Sequence, residues 1–336
     1  MAKRLKLGII GTGNIAGQFC NGVSASPMIS LTAVGSRSAE SASAFAKKFG
    51  IATTYGSYDA MLADREIEAI YLSLPNSMHH EWAIKALRAG KHVLCEKPLA
   101  VTVSQGEEMF DVAKRSGKIL VEAFMYVSHP QTRRVIETIR GGAIGELRLI
   151  RTSFCYRTSR MDGNIRFDPN LAGGALMDVG CYCTHFARLI AGAEPIAISA
   201  VGTMHESGVD HLTAGVLKFS SGVVSTFSCG MLTQCDNTAH ICGTEGYLEI
   251  QWPWKPVRNS SFNIAHSVPP RQDKGPASQP PKEVVKVEAP GELYELEAND
   301  FAATVLDHAP PRITAGDSIG NLRVLQEIRK QIGLPF

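Results

Sequence analysis

The chain has 336 residues, enough for two domains of ordinary size, each with its own core. With 44% hydrophobic and 20% charged residues it is neither disordered nor fibrous. A net charge of +2 gives no electrostatic footprint for nucleic acid, and no run approaches the roughly 18 apolar residues of a membrane span.

The first residues, M-A-K-R-L-K-L-G-I-I-G, read as a strand and not as a secretory leader, because Lys6 and the glycines interrupt the apolar run. A cytoplasmic protein is therefore expected, with eight cysteines as reduced thiols. Through residue 122 short β-rich runs (5–10, 31–36, 67–74, 92–94, 119–121) alternate with amphipathic stretches such as 39–48 and 79–89. That alternation predicts repeated βα units around a parallel sheet. Trp82, Ala83, Ala86 and Leu87 fall on one helical face, and Gly90 stands where a helix C-cap glycine belongs.

Beyond Tyr126 the pattern changes to alternating strands at 146–156, 196–203, 214–219 and 223–229, with Ser220, Ser221 and Gly222 as a hairpin turn. Helices become rare, except at 175–191 and in a closing amphipathic stretch at 318–332. The fold class is thus an α/β Rossmann domain (1–122) followed by an α+β domain (123–336) with a large, mostly antiparallel open sheet. The proline-rich stretch 253–281 reads as long loops, with strand character resuming at 284–287.

Gly11, Thr12, Gly13, Asn14, Ile15 and Ala16 follow a strand and open a helix, the context a dinucleotide-binding turn requires. Gly11 permits the turn, Gly13 the close approach of a diphosphate, and helix amides hold the anion. The next strand ends in Gly35, Ser36, Arg37 and Ser38, with no carboxylate for a free ribose. Arg37 and Ser36 instead suit a 2′-phosphate, which favours NADP over NAD. Glu96, Lys97 and Pro98 fall at the carboxyl end of a predicted strand, where ligands of open α/β sheets bind. A lysine there can stabilise the alkoxide of a hydride transfer. Asp178 and Tyr182 are four apart, so their side chains share a helical face. A phenol would need a nearby cation such as Lys97 to exchange protons near neutrality. Cys229, Cys235, His240 and Cys242 are spaced too widely for a zinc site, and no metal is expected.

Five motifs in order carry a resemblance: G-x-G-x-x-A at 11–16, P-N-S-M-H at 75–79, G-K-H-V-L-C-E-K-P at 90–98, E-A-F-M-Y at 122–126 and G-G-A-L-M-D-V-G-C-Y at 173–182. Together they resemble the Gfo/Idh/MocA oxidoreductases, and within them the subgroup of NADP-dependent xylose dehydrogenases, dihydrodiol dehydrogenases and sugar ketoreductases. The resemblance implies that Lys97 polarises substrate, that Asp178 and Tyr182 stand beside the nicotinamide with Tyr182 as acid or base, and that Leu74, Pro75, Asn76 and His79 line the cofactor. It also implies a homodimer or homotetramer built through the second sheet. Met125 and Phe154 are candidate walls of a pocket for a carbohydrate-like substrate. Val127 stands where many of those relatives carry arginine. A glycosidase using tightly held NAD and a non-catalytic NADP-binding regulator are the alternatives.

Overall fold

The structure is a computed structural model and describes residues 3–267 and 280–334. Six parallel strands, β1 (Leu5–Ile10), β2 (Ile29–Gly35), β3 (Thr53–Tyr55), β4 (Ala69–Leu72), β5 (His92–Glu96) and β6 (Leu120–Ala123), lie in the order β3-β2-β1-β4-β5-β6. Both faces are covered, so the strands are near-continuous apolar runs. Ile9, Ile10, Ile70, Tyr71, Val93 and Leu94 are all fully buried. The crossovers are α1 (Asn14–Gly22), α2 (Ala39–Phe49), α3 (Tyr58–Ala63), α4 (His79–Arg88) and α5 (Val103–Ser116). Gly90 follows α4 with φ +79°, and its amide donates to Leu87 O. A left-handed residue is needed there to stop the helix, and glycine adopts it without strain.

The chain then makes two helices that sequence periodicity had not suggested, α6 (Met125–Ser128) and α7 (Pro130–Arg140). Pro130 opens α7 and the His129 ring accepts from the Gln131 amide, a cap set by local chemistry and not by apolar spacing. The strand β7 (Leu147–Cys155) leads to a π-helical turn at Leu176–Gly180 that runs on into α8 (Cys181–Ala191). The strands β8 (Pro195–Met204), β9 (Asp210–Phe219), β10 (Val224–Gly230), β11 (Thr238–Gly243), β12 (Gly246–Gln251), β13 (Asn259–His266) and β14 (Lys282–Glu288) complete an eight-stranded sheet. Its order is β14-β13-β12-β11-β7-β10-β9-β8, antiparallel except for the parallel pair β7 and β10.

The expected loop at 253–281 needs correction, because β13 lies inside it: Phe262 and Ile264 turn inward while Asn263 between them is polar. Residues 268–279 of that predicted loop, including Pro269, Pro270 and Pro276, lie outside the described residues. Two helices end the chain, α9 (Leu293–Leu306) and α10 (Ala315–Gln331). Both fold back: α9 packs on α1, β1 and β2, while α10 bridges α5 of the first unit and α8 of the second. One apolar core accordingly runs from Leu5 and Phe19 through Tyr126 and Tyr182 to Phe262 and Phe301. No helix among the described residues is long and apolar enough to cross a membrane.

Candidate active site

Strand order reverses between β1 and β4, which opens a crevice at the carboxyl ends of the parallel strands. Gly11 sits there with φ +102°, and a Cβ on it would lie 3.0 Å from Ser73 O just past β4. Only glycine fits this turn. A Cβ on Gly13 would meet nothing, so the first turn of α1 faces open space. That turn carries no acidic residue and no side-chain cap, leaving its amides free to receive an anion. Thr12, Asn14 and Ile15 border the opening, and Ala16 is fully buried against the sheet. At the end of β2 Ser36 is buried, while Arg37 is exposed and forms no ion pair among the described residues. Its guanidinium is uncommitted. These groups fit a dinucleotide bearing a phosphate on its adenosine ribose.

Beyond β4, Leu74, Pro75 and Asn76 form the loop ahead of α4. The Asn76 amide donates to Ala172 O at 2.8 Å, joining this loop to the second unit. His79 is fully buried, with Nδ1 2.9 Å from Pro98 O and Nε2 2.8 Å from Leu74 O. The imidazole therefore ties that loop to the turn after β5. Glu96, also buried, accepts from the Tyr71 hydroxyl and from the Lys97 amide.

Lys97 follows β5, with a cis peptide to Pro98, and its Nζ donates to Asp178 O at 2.7 Å and lies 3.4 Å from Asp178 Oδ1. Two further donors, the Tyr156 hydroxyl at 2.6 Å and Arg166 Nε at 2.8 Å, converge on Asp178 Oδ2. Burial opposes ionisation of Asp178, but Lys97 and Arg166 outweigh it and hold its carboxyl down at about 2. Reciprocally, burial pulls Lys97 down while Asp178 raises it above the ordinary lysine value. The pair is charged across the neutral range.

Tyr182, on the first turn of α8, stands beside this cluster, with Lys97 Nζ 5.2 Å from its ring centre. Phe124, Phe154 and Trp254 pack edge-on around it, and Phe154 stacks on Trp254. The phenol hydroxyl donates to Met125 Sδ at 3.4 Å. Burial, then Glu96, pushes Tyr182 well above the usual phenol value, so the effect expected of Lys97, favouring a phenolate, is outweighed in this state. Met125 is buried beneath the ring, whereas Phe154 is half-buried.

Comparison with known proteins decides the family. Residues 5–124 match the model described as "Oxidoreductase family, NAD-binding Rossmann fold", and residues 132–249 match the GFO/IDH/MocA C-terminal domain. The chain belongs to the Gfo/Idh/MocA oxidoreductase family. Among its relatives are a trans-1,2-dihydrobenzene-1,2-diol dehydrogenase from Mus musculus, 37% identical over 75% of this chain and 76% of that protein. Another is a D-xylose 1-dehydrogenase (NADP(+)) from Haloferax volcanii, 33% identical over 88% of this chain and 87% of the relative. A crystal structure of a 3-ketoreductase from Actinomadura kijaniata, in complex with NADP and TDP-benzene, superposes with TM-score 0.86 at 30% identity, covering 98% of both chains.

Within this Gfo/Idh/MocA chain the fold thus brings Lys97, Asp178 and Tyr182 together, on the strand edge that also carries the glycine turn. Tyr156 and Arg166, both bonded to Asp178, had no sequence signal, since they lie 22 and 12 residues away on an irregular segment. Lys255, on the turn after β12, is a third addition: its charge acts on Lys97, Asp178 and Glu96. Val127 is half-buried against the core. All eight cysteines are free thiols, and no three metal-binding side chains converge among the described residues.

Proposed function

We propose that the protein is an NADP-dependent oxidoreductase that moves a hydride between nicotinamide and a hydroxyl or carbonyl carbon of a sugar, sugar derivative or related diol. The carrying observation is the charged Lys97 and Asp178 pair beside Tyr182, at the end of β5 and on the same edge as the glycine turn. The named activities of the dihydrodiol dehydrogenase, the xylose dehydrogenase and the ketoreductase support this reading. Residues 1–122 are taken as the cofactor unit and 123–336 as the unit for substrate and self-association.

In this scheme amides of residues 11–15 hold the diphosphate, Ser36 and Arg37 the 2′-phosphate, and the 74–76 loop borders the nicotinamide, with His79 fastening the loop. When bound, NADP supplies or accepts the hydride. Lys97 donates a hydrogen bond to the reacting oxygen, Asp178 orients that ammonium, and Tyr182 exchanges the proton. Both Lys97 and Tyr182 hold their protons at neutral pH, which suits delivery to a carbonyl and hence reduction. The test is absorbance at ~340 nm with aldoses, ketoses, inositols and dihydrodiols, each with both cofactors. No oxidation or reduction across that panel would overturn the assignment.

Arg37→Ala should raise the Kd for NADP about ten- to a hundredfold, the loss of one or two charged hydrogen bonds of ~1.5 kcal/mol each. The Kd for NAD should change less than about threefold. Calorimetric titration with both nucleotides checks this, and equal weakening of the two removes Arg37 from the 2′-phosphate. The outer face of the second sheet leaves Val201 and Val216 bare and is read as the seat of a homodimer or homotetramer. Light scattering should give a multiple of the chain mass; a monomer at every concentration refutes it. The free thiols fit a reducing cytoplasm.

A further inference from the structure

The direction of Lys97 rests on a stretch of main chain as much as on a side chain. Its Nζ donates to Asp178 O at 2.7 Å and lies 3.4 Å from Asp178 Oδ1, so the ammonium is placed by where the π-helical turn Leu176–Gly180 carries both oxygens. Single π turns are rare and gather at functional sites. This one begins with no capping side chain of its own. Amides in the first turn of a helix lack partners inside it, and a buried one must find its acceptor elsewhere.

The acceptor comes from the second sheet. Asp210, the first residue of β9, is fully buried, and its Oδ2 accepts from the Leu176 amide at 2.8 Å. The same oxygen also accepts from the Thr213 hydroxyl at 2.7 Å. A Cβ on Gly174 would collide with Asp210 Oδ1, so the chain entering the turn lies directly against the other carboxyl oxygen. Gly174 O in turn accepts from the Asp178 amide at 2.9 Å, and the Gly174 amide donates to Arg166 O at 2.8 Å. One carboxyl thus meets the entry of the turn at two points, and that entry holds the main chain of Asp178 and of Arg166, which are paired at the site. Leu176 and Asp178 are only two residues apart, so a displaced first amide carries directly into the Asp178 carbonyl.

We infer that Asp210 is a positioning residue for the reaction: by anchoring the first amide of the π-helical turn to β9, it sets the place of Asp178 O and Oδ1, and through them the direction of the Lys97 ammonium. This rests on the oxidoreductase reading. The influence of Asp210 on Lys97 passes through the turn, since its bonds go to Leu176 and Thr213. Burial lowers the Lys97 pKa, and of the groups facing it, Asp178, Cys181, Tyr182, Glu96, Arg166 and Lys255, Asp178 raises it most. A turn that drifts from Lys97 therefore costs the ammonium both its aim and part of its charge at high pH.

The experiment compares wild type with Asp210→Ala, Asp210→Asn and Thr213→Val. Asp210→Ala should lower kcat for reduction at least about tenfold while the Kd for NADP stays within about threefold. The alkaline fall of its kcat should also move to lower pH by at least about half a unit, as Lys97 loses support from Asp178. Asp210→Asn keeps an oxygen for the Leu176 amide and should regain most of the lost kcat. Thr213→Val removes the other bond to the same carboxyl; it should lower the melting temperature yet keep kcat within about twofold. If Asp210→Ala does not fold, Asp210→Ser, whose hydroxyl stops one bond short of the Leu176 amide, carries the same readouts. A folded Asp210→Ala or Asp210→Ser with the kcat and pH profile of wild type overturns the positioning role alone. So does Asp210→Asn as slow as Asp210→Ala, or Thr213→Val losing as much kcat as either. Wild type that reduces no substrate overturns the functional reading, and the positioning role falls with it.

Discussion

Lys97→Ala should lower kcat for carbonyl reduction about a hundred- to a thousandfold, the loss of roughly 3–4 kcal/mol when a preorganised donor to a developing oxyanion is removed. Lys97 is fixed from two sides: its backbone leaves β5 through the Pro98 turn, and its ammonium is held on Asp178 O and Oδ1. An ammonium so placed needs no reorientation as charge builds on the substrate oxygen. The Kd for NADP should stay within about tenfold, or ~1.4 kcal/mol, because the diphosphate and ribose contacts lie elsewhere. Single-turnover kinetics with prebound NADPH separate the two quantities. A variant that reduces substrate within about threefold of wild type would falsify the central role of Lys97. The charge state adds a second readout. Asp178 raises Lys97 above its ordinary value, so wild-type reduction should be level through neutral pH and fall only in strong alkali. Oxidation, which needs a group able to take a proton, should accelerate as pH rises.

The parts of the molecule legible in the sequence are those whose burial is periodic. Strands β1, β4 and β5 are apolar runs closed by Gly11, by the Ser73 to Pro75 loop and by the E-K-P turn, and α4 shows Trp82, Ala83, Ala86 and Leu87 on one face. Strand β3 escaped because its three residues, Thr53 to Tyr55, bury no complete side chain. Strands β11 and β12 do alternate, Ala239 and Ile241 against Leu248 and Ile250, but each is only six residues long and carries few β-branched residues to mark it. Helix α9 is buried by neighbours from both units, with Glu297 and Thr304 inside beside Phe301, so no clean polar stripe betrays it. It is opened by a Glu292 and Glu295 capping box, weaker as a signal than a serine or threonine cap. At the site, motif order located Lys97 just past β5, Asp178 on the π-helical turn and Tyr182 on α8. Tyr156, Arg166 and Lys255 lie outside the strands and α-helices, and Tyr156 and Arg166 reach Asp178 across 22 and 12 residues, a meeting no local spacing announces.

Asp178→Ala should cost about 3 kcal/mol of stability, the lower part of the range for removing one member of a buried ion pair, because Arg166 is partly exposed and can turn to water. Lys97 cannot turn so easily, its side chain being only 14% exposed and set against the Tyr182 ring, and its charge would be left facing that ring and the Asp178 main chain. For a chain of this size the melting temperature should drop by roughly 4 °C. The pH dependence carries the sign. The folded state holds the Asp178 carboxyl at about 2, below its unfolded value, so its contribution is fully present above the ordinary carboxylate range and fades as pH falls toward 2. Wild type should therefore lose stability over that acid interval more steeply than Asp178→Asn, which has no proton to take up. Calorimetry of both proteins from neutral pH downward measures the difference. Parallel acid limbs would mean that the three donors around Asp178 do not stabilise its charge, and the orientation of Lys97 would then need another source.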